Sequence, residues 1–310
     1  MNIAVCSRSF SKNPQLLRKL TNAFPGADLN LNPDQILAGS DLVSFLQECE
    51  AAIIGLERIN CEILDKLPNI RVLSKYGVGL DNIDSACFQR QTPSILYSAG
   101  VNSTSVAELT CLLTLSALRD TNSIMQKLEN RSWSQVVGND LYGKCVLIVG
   151  YGAVGKAVAK RMHLGFGADV AVYDIDEQKR ICAKADGHSV VDNIQALRPD
   201  VITLHCDLNE RSRDLIDSDL VAQFKEVILI NTCRSEVCVE SAIKQGLING
   251  NIKTYCADVM WGEPNRIDTF WFENDRVVLT PHVGGSSTEA ILAMGNAAIQ
   301  NLENFYARAP

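Results

Sequence analysis

The chain has 310 residues, 46% of them hydrophobic, with a mean hydropathy of +0.03, which is enough apolar material for two domains with a core each. Its net charge of −7 argues against nonspecific nucleic-acid binding and demands a local positive site for any anionic substrate. No apolar run is long enough to span a membrane, no secretory leader is expected, and the eleven cysteines are scattered without a Cys-x-x-Cys pair. That pattern fits reduced thiols in the cytoplasm rather than a disulfide framework, and no metal site is expected.

Residues 1–100 read as short strands alternating with helices. Strands are expected at NIAVC (2–6), AAIIG (51–55), IRVLSK (70–75) and SILYS (94–98). Pro14 to Ala23 carries Leu16, Leu17 and Leu20 on one helical face, and Cys61 to Leu67 forms a short helix. The alternation implies a mostly parallel sheet covered on both faces. At one strand end the turn Tyr76-Gly77-Val78-Gly79 exposes N–H groups that could hold a carboxylate; a plain tight turn is an equal alternative on these residues alone.

A long helix is expected from about Asn102 through Leu118, with Ser105 and Glu108 as a capping box. Being apolar nearly all round, it should lie buried between domains. Residues 121–140 are more polar and include Trp133. A second βα series follows: a helix near 176–183, strands at 201–205, 227–231, 252–258 and 276–280, helices over Asp217–Phe224 and Glu240–Gln245, and a final amphipathic helix over 286–306.

That second series opens on Cys145–Met162. The apolar run Val146–Val149 ends in Gly150, and Gly150, Gly152 and Gly155 stand at the G-x-G-x-x-G spacing before a helical pattern. The first glycine permits the sharp turn, the second lets a pyrophosphate approach bare backbone, and the third lets helix and strand pack closely. Free N–H groups at the helix start favour phosphate. The next apolar run, Val170–Tyr173, ends in Asp174, a carboxylate suited to a ribose 2′-hydroxyl. No Arg or Lys follows until Lys179, so NAD is favoured over NADP.

In open α/β sheets ligands gather at the carboxyl ends of strands. The reactive side chains there in the second half are Asp174, His205, Arg234, Asp258, Glu263 and His282. Histidine suits proton transfer near neutral pH, and position alone does not separate His205 from His282. An arginine at a buried strand end suits a carboxylate partner, or an ion pair with Glu236. A carboxylate such as Glu263 beside a histidine would hold its tautomer and raise its pKa.

Taken together these segments resemble the D-isomer-specific 2-hydroxyacid dehydrogenase family, phosphoglycerate dehydrogenase and its relatives, in a short form without a regulatory domain. The similar segments are KYGVGLDNID (75–84), AGVNSTSVAEL (99–109), VGYGAVG (149–155), LHCDLNERSRDLID (204–217), NTCRSEVCVESAI (231–243), DVMWGEP (258–264) and TPHVGG (280–285). They cover nearly the whole chain in the family's order.

The resemblance implies two doubly wound parallel-sheet domains: a Rossmann nucleotide domain over 100–285 and a smaller flavodoxin-like substrate domain built from 1–99 and 286–310, with catalysis in the cleft. It implies hydride transfer between NAD and a 2-oxo/D-2-hydroxy acid pair. Arg234 would bind the substrate carboxylate, His282 would exchange the proton, and Glu263 would hold His282. Val78, Gly79 and Asn102 would also bind substrate. Gly150, Gly152, Ala153, Val154, Gly155, Asp174, His205, Thr232, Cys233, Asp258, His282, Gly284 and Gly285 would line the cofactor site. A homodimer joined through the nucleotide domain, with residues 121–140 in the contact, is implied as well.

Three positions depart from the family pattern. Ser235 replaces the glycine after the arginine, Asp207 stands in place of proline, and Gly55 stands where phosphoglycerate-type members carry arginine, with Arg58 three residues on. The 3-phosphoglycerate/phosphohydroxypyruvate pair is the first candidate substrate, hydroxypyruvate or glyoxylate the alternative, and bulkier 2-oxo acids are open as well. A catalytically weak NAD-sensing binding protein and a methyltransferase on the same nucleotide fold are the competing readings. Trp261 could narrow the substrate pocket or simply pack.

Overall fold

A computed structural model describes residues 1–89 and 92–308. The chain divides into two compact units, Met1–Asn102 with Gly285–Pro310, and Ser103–Gly284. Residues 90, 91, 309 and 310, part of the expected substrate domain, lie outside the described residues. Among the described residues no helix is long and apolar enough to cross a membrane.

The first unit holds a five-stranded sheet: β1 (Asn2–Val5), β2 (Asp28–Leu31), β3 (Ala51–Ile54), β4 (Val72–Lys75) and β5 (Ser94–Leu96), in the order β2-β1-β3-β4-β5. All neighbours are parallel. This is the flavodoxin-like order, whose switch point lies between β1 and β3. The central strands are buried throughout, as a parallel sheet covered on both faces requires. One face packs under Leu42, Leu46, Ile63 and Leu64. The other packs under Leu16 and Leu20 of the helix Pro14–Ala23 and under Met294, Ala298 and Leu302 of the helix Thr288–Arg308. These two helices approach so closely that a Cβ at Gly295 would sit 2.4 Å from Leu16.

The second unit holds β6 (Cys145–Val149), β7 (Asp169–Tyr173), β8 (Ser189–Val190), β9 (Val201–Leu204), β10 (Val227–Asn231), β11 (Ile252–Ala257) and β12 (Val277–Leu279). Their order is β12-β11-β10-β9-β6-β7-β8, again all parallel. The chain winds outward from β6 to β8, then returns to the other side of β6 at β9. That reversal is the Rossmann switch point, where the strand ends splay and leave a crevice for ligand.

Several elements differ from expectation. β2 (DLNL) was not foreseen, because Asp and Asn disfavour strands; its ladder to β1, from Asn2↔Asp28 to Val5↔Leu31, supplies what propensity lacks. The two-residue edge strand β8 and the helix Gly39–Leu46 were also not foreseen. The helix Ser103–Arg119 begins two residues before the expected cap, so Ser105 lies inside the first turn and forms no capping box. Glu108 instead faces Arg161 at 3.5 Å. This helix is apolar over most of its surface, with one outward-facing leucine. Val106, Ala107, Leu113 and Leu118 are buried, Leu112 is 57% exposed, and the buried hydroxyls of Thr110 and Thr114 donate back to the carbonyls of Val106 and Thr110. The polar stretch after it contains a helix, Thr121–Glu129, with no buried residue.

Candidate active site

The glycine-rich turn is built as its spacing demands. Gly150 lies at φ +95°, and a Cβ there would sit 2.7 Å from the carbonyl of His205. A Cβ at Gly155 would sit 1.9 Å from the carbonyl of Gly150, so helix and turn come this close only because residue 155 is glycine. At Gly152 a Cβ would meet nothing within 4 Å. That open side leaves the backbone there accessible to a ligand. Gly152 also caps the helix Ala153–Lys160 with no side-chain bond, which leaves the first N–H groups of Ala153, Val154 and Gly155 for a ligand.

Asp174 closes β7 beside this turn. Its carboxylate accepts the N–H groups of Tyr151 at 2.7 Å and Asp176 at 2.8 Å. Lys179, the first cation after it, has an exposed side chain and lies 3.9 Å from the same carboxylate. Across the switch point, His205 bonds the Thr203 hydroxyl through Nε2 at 2.9 Å, while its Nδ1 is buried with no protein partner. Burial pulls its pKa down to about 3. A neutral imidazole with one unused nitrogen suits a pocket wall that meets a ligand, and does not suit an acid. These features fit a bound dinucleotide.

The reactive cluster lies on the loops after β10, β11 and β12. His282 stands at φ +54°, a left-handed conformation that costs free energy for a non-glycine residue and is held by its surroundings. Asp258, which follows β11 and is buried, provides that hold. One oxygen accepts from the Thr280 hydroxyl at 2.6 Å and the Val283 N–H at 2.8 Å; the other accepts from the Gly284 N–H at 2.7 Å. A Cβ at Gly284 would strike that carboxylate at 2.9 Å. Asp258 thus clamps both flanks of His282.

Glu263 completes the pair. Its Oε1 lies 2.7 Å from His282 Nδ1, and its Oε2 accepts the Met260 N–H at 3.0 Å. The bond to Glu263 raises the His282 pKa against the effect of partial burial, and the Arg234 charge nearby opposes that rise. On Glu263, burial alone would raise the pKa, but the His282 bond and charge, the Met260 N–H and the Arg234 charge together lower it. The pair therefore holds a proton on imidazole rather than on carboxyl.

Arg234 stands three residues beyond β10. Asn231, the buried last residue of that strand, ties the turn by donating to the Arg234 carbonyl at 2.9 Å and accepting the Cys233 N–H at 3.1 Å. Arg234 itself donates to the Cys233 carbonyl at 2.7 Å. The Thr232 hydroxyl meets that of Thr110 at 3.0 Å. Ser235, where glycine was expected, is buried in a short 3₁₀ turn and donates to Glu236 at 3.0 Å. It has no positive φ, so a side chain is accommodated. Asp207 is exposed, and its backbone carbonyl accepts from Ser212. Trp261 stacks on Tyr255 and Trp271, with ring centroids 6.2 and 5.3 Å away, so it packs.

In the other unit, Val78 and Gly79 are partly exposed on the loop after β4, with Gly77 at φ +111° supplying the turn. That loop is tied to the one after β3. The buried Lys75 ammonium bonds the Gly55 carbonyl and Asn82 Oδ1, the latter at 2.8 Å, and Asn82 donates to the Glu57 carbonyl at 2.6 Å. Asn102 has a buried Oδ1 without a partner, and Gly285 packs against its amide nitrogen, where a Cβ would stand 3.2 Å away. Asn231, Thr280, Lys75 and Asn82 were not singled out from sequence. The readable signal was a polar residue closing an otherwise apolar strand, as Asn231 closes VILIN.

Sequence comparison matches residues 111–284 to the family described as D-isomer specific 2-hydroxyacid dehydrogenase, NAD binding domain. Among curated relatives, a D-3-phosphoglycerate dehydrogenase of Methanocaldococcus jannaschii is 30% identical over 86% of this chain, which spans only 52% of that protein's length. A hydroxypyruvate reductase of Thermotoga maritima is 28% identical over 86% of this chain and 88% of its own. Among solved structures, one from a Polaromonas species, described as an NAD-binding D-isomer specific 2-hydroxyacid dehydrogenase, superposes with a TM-score of 0.86 at 25% identity, covering 99% of this chain and 96% of that one. With the nucleotide cradle, the carboxylate-supported histidine and the neighbouring arginine in place, the chain belongs to the D-isomer specific 2-hydroxyacid dehydrogenase family, whose chemistry is NAD-dependent interconversion of a 2-oxo acid and a 2-hydroxy acid.

Proposed function

We propose that this protein reduces a small, unphosphorylated 2-oxo acid of the hydroxypyruvate or glyoxylate type to the D-2-hydroxy acid, with Arg234, Glu263 and His282 as its catalytic residues. The observation that carries the chemistry is the 2.7 Å contact of His282 with Glu263 beside the Arg234 charge. Because Nδ1 is committed to Glu263, Nε2 is the atom left to give a proton to the carbonyl oxygen, and to take it back in the reverse reaction. The Arg234 guanidinium pairs with the substrate carboxylate and polarises the 2-oxo group. Bound NADH supplies the hydride for substrate C2.

The family resemblance adds Val78, Gly79 and Asn102 to the substrate-binding residues of this reading. The glycine turn with Ala153 and Val154, together with Asp174, His205, Thr232, Cys233, Asp258, Gly284 and Gly285, carries the cofactor. The preference for an unphosphorylated acid rests on Gly55 and Lys75. Glycine replaces an arginine at position 55, and the Lys75 ammonium is already shared between the Gly55 carbonyl and Asn82. Arg58, exposed on the same loop, is what favours the second reading, a phosphorylated substrate.

Cytoplasmic residence is read from the free thiols. Assembly as a homodimer is read from the second unit's apolar side chains Trp133, Val137 and Tyr142, which are 95%, 94% and 80% exposed.

The test is loss of NADH absorbance with glyoxylate, hydroxypyruvate, 3-phosphohydroxypyruvate and pyruvate, with NADPH in parallel. Hydroxypyruvate or glyoxylate is expected to give the highest kcat/KM. A preference for the phosphorylated acid that disappears in Arg58→Ala would instead establish the second reading. NADH binding without turnover on any acid would make the protein an NAD-sensing binder.

A further inference from the structure

Glu263 is carried on a stretch of chain that is exposed from residue 262 to residue 266. Two backbone bonds turn it: the Glu263 N–H donates to the Met260 carbonyl at 3.3 Å and the Arg266 N–H to the Gly262 carbonyl at 2.8 Å. A loop with little buried surface takes its position from what holds its two ends.

Both ends of this loop are tryptophan. Trp261 precedes it and Trp271 lies beyond it, and their rings stack with centroids 5.3 Å apart and planes at 23°. Trp261 also stacks on Tyr255 of β11, at 6.2 Å and 26°. Tyr255 and Trp271 are fully buried in the core of the second unit. The helix Glu240–Asn249 fixes Trp271 in turn, because the indole Nε1–H donates to Glu240 Oε1 at 3.0 Å. Lys244 of the same helix bonds Glu240 at 2.9 Å and Asp268 at 2.6 Å, and its ammonium lies 5.6 and 5.5 Å from the Phe270 and Trp271 ring centroids. Stacked and hydrogen-bonded rings have a preferred geometry as well as buried area, so this chain of contacts fixes Trp261, two residues before Glu263.

We propose that Trp261 and Trp271 are positioning residues: their stack closes the base of the exposed loop and sets where the Glu263 carboxylate meets His282. The stack touches no reacting atom and acts through Glu263, so the inference rests on the proposed roles of Glu263 and His282. The contact it guards is the 2.7 Å bond of Glu263 Oε1 with His282 Nδ1, and a displacement of about 1 Å in such a group costs about 10²-fold in rate. The other charges that His282 feels are Arg234 and Asp258. They have bonds of their own, Arg234 to the Cys233 carbonyl and Asp258 to Thr280, Val283 and Gly284, and keep their places when the stack is removed.

Packing and positioning make different predictions. A stack that only fills the core changes stability; one that aims Glu263 also changes the proton affinity of His282. The experiment compares Trp261→Leu, Trp261→Phe, Glu263→Gln and the double variant Trp261→Leu/Glu263→Gln in the full-length protein. It titrates the imidazole resonances of the four histidines by NMR, with His282 assigned by its loss in His282→Ala, and measures hydroxypyruvate reduction by NADH and thermal unfolding. Trp261→Leu should lower the His282 pKa in the direction that Glu263→Gln does and cut kcat by up to roughly 10²-fold, with KM near wild type. Trp261→Phe, which keeps a ring in the stack, should recover most of both. In the Glu263→Gln background Trp261→Leu should add nothing further, because the two changes act on one contact. Lys244→Met, which keeps the rings and removes the ammonium, should shift both readouts the same way by less, and it carries the test if Trp261→Leu does not fold.

A lowered unfolding temperature with the His282 titration and kcat at wild type would make the stack core packing and overturn the proposal. A raised KM with an unchanged titration would make Trp261 a pocket wall and overturn it as well, as would additive losses in the double variant. A wild-type titration in Glu263→Gln would bring down the reading of the catalytic pair, and this proposal with it; a shift in Glu263→Gln without one in Trp261→Leu brings down this proposal alone.

Discussion

Two histidines of this chain end apolar strands in the same sheet, and their surroundings give them opposite chemistry. His205, after β9, is partly buried beside the Thr203 hydroxyl, and burial alone takes its pKa down to about 3. His282, after β12, bonds Glu263 at 2.7 Å and its pKa rises. Desolvation acts on both and always disfavours the charged imidazole; only a hydrogen-bonded anion reverses the sign. The carboxyl end of a parallel strand therefore marks where a reactive group can stand, and the partner decides what that group does.

The comparison breaks most directly at His282. His282→Ala should lower kcat by about 10²–10⁴-fold, the usual share of a general acid, while NADH binding, followed by fluorescence, stays near wild type. Unchanged turnover would remove His282 from the mechanism. Arg234→Ala should come next, with kcat/KM down by about 10²–10³-fold and KM for the 2-oxo acid raised. Were KM for NADH the parameter that moved, Arg234 would belong to the cofactor site instead.

Glu263→Gln tests the source of the difference between the histidines. The raised pKa of His282 keeps it protonated to higher pH, so reduction should persist above the ordinary imidazole range and fall as pH rises through that raised value. The oxidative direction needs neutral imidazole and should rise over the same window. Removing the carboxylate should shift both limbs to lower pH and cost roughly 10–100-fold in kcat at neutral pH. A pH profile identical to wild type would show that Glu263 does not set the His282 pKa. The smallest effect is expected at His205. His205→Gln should change kcat by no more than about threefold and weaken NADH binding by about 1–3 kcal/mol through the lost ring contact. A large kcat effect with intact NADH binding would reverse the two assignments.

Much of the fold was legible because its signals are local. The G-x-G-x-x-G turn between an apolar run and a helical pattern, and the regular return of apolar runs, follow from steric rules of adjacent residues. β2 and β8 escaped because they are strands by partnership: Asp28–Leu31 gains its ladder from β1, and Ser189–Val190 from β7. The helix Ser103–Arg119 is apolar nearly all round, as its sequence reads, because Thr110 and Thr114 turn their hydroxyls onto its own backbone; the outward-facing Leu112 is the detail that periodicity does not show.

The sequence by itself determined the doubly wound parallel sheets, the glycine cradle for a dinucleotide and the short set of candidate reactive groups, because each depends on spacing along the chain. Only the tertiary structure decided which histidine can hold a proton and that Asp258 clamps both sides of His282. Those relations join residues distant in sequence but adjacent across the ends of parallel strands. Their energies depend on burial and on separations of about 3 Å, quantities that exist only once the sheet has formed.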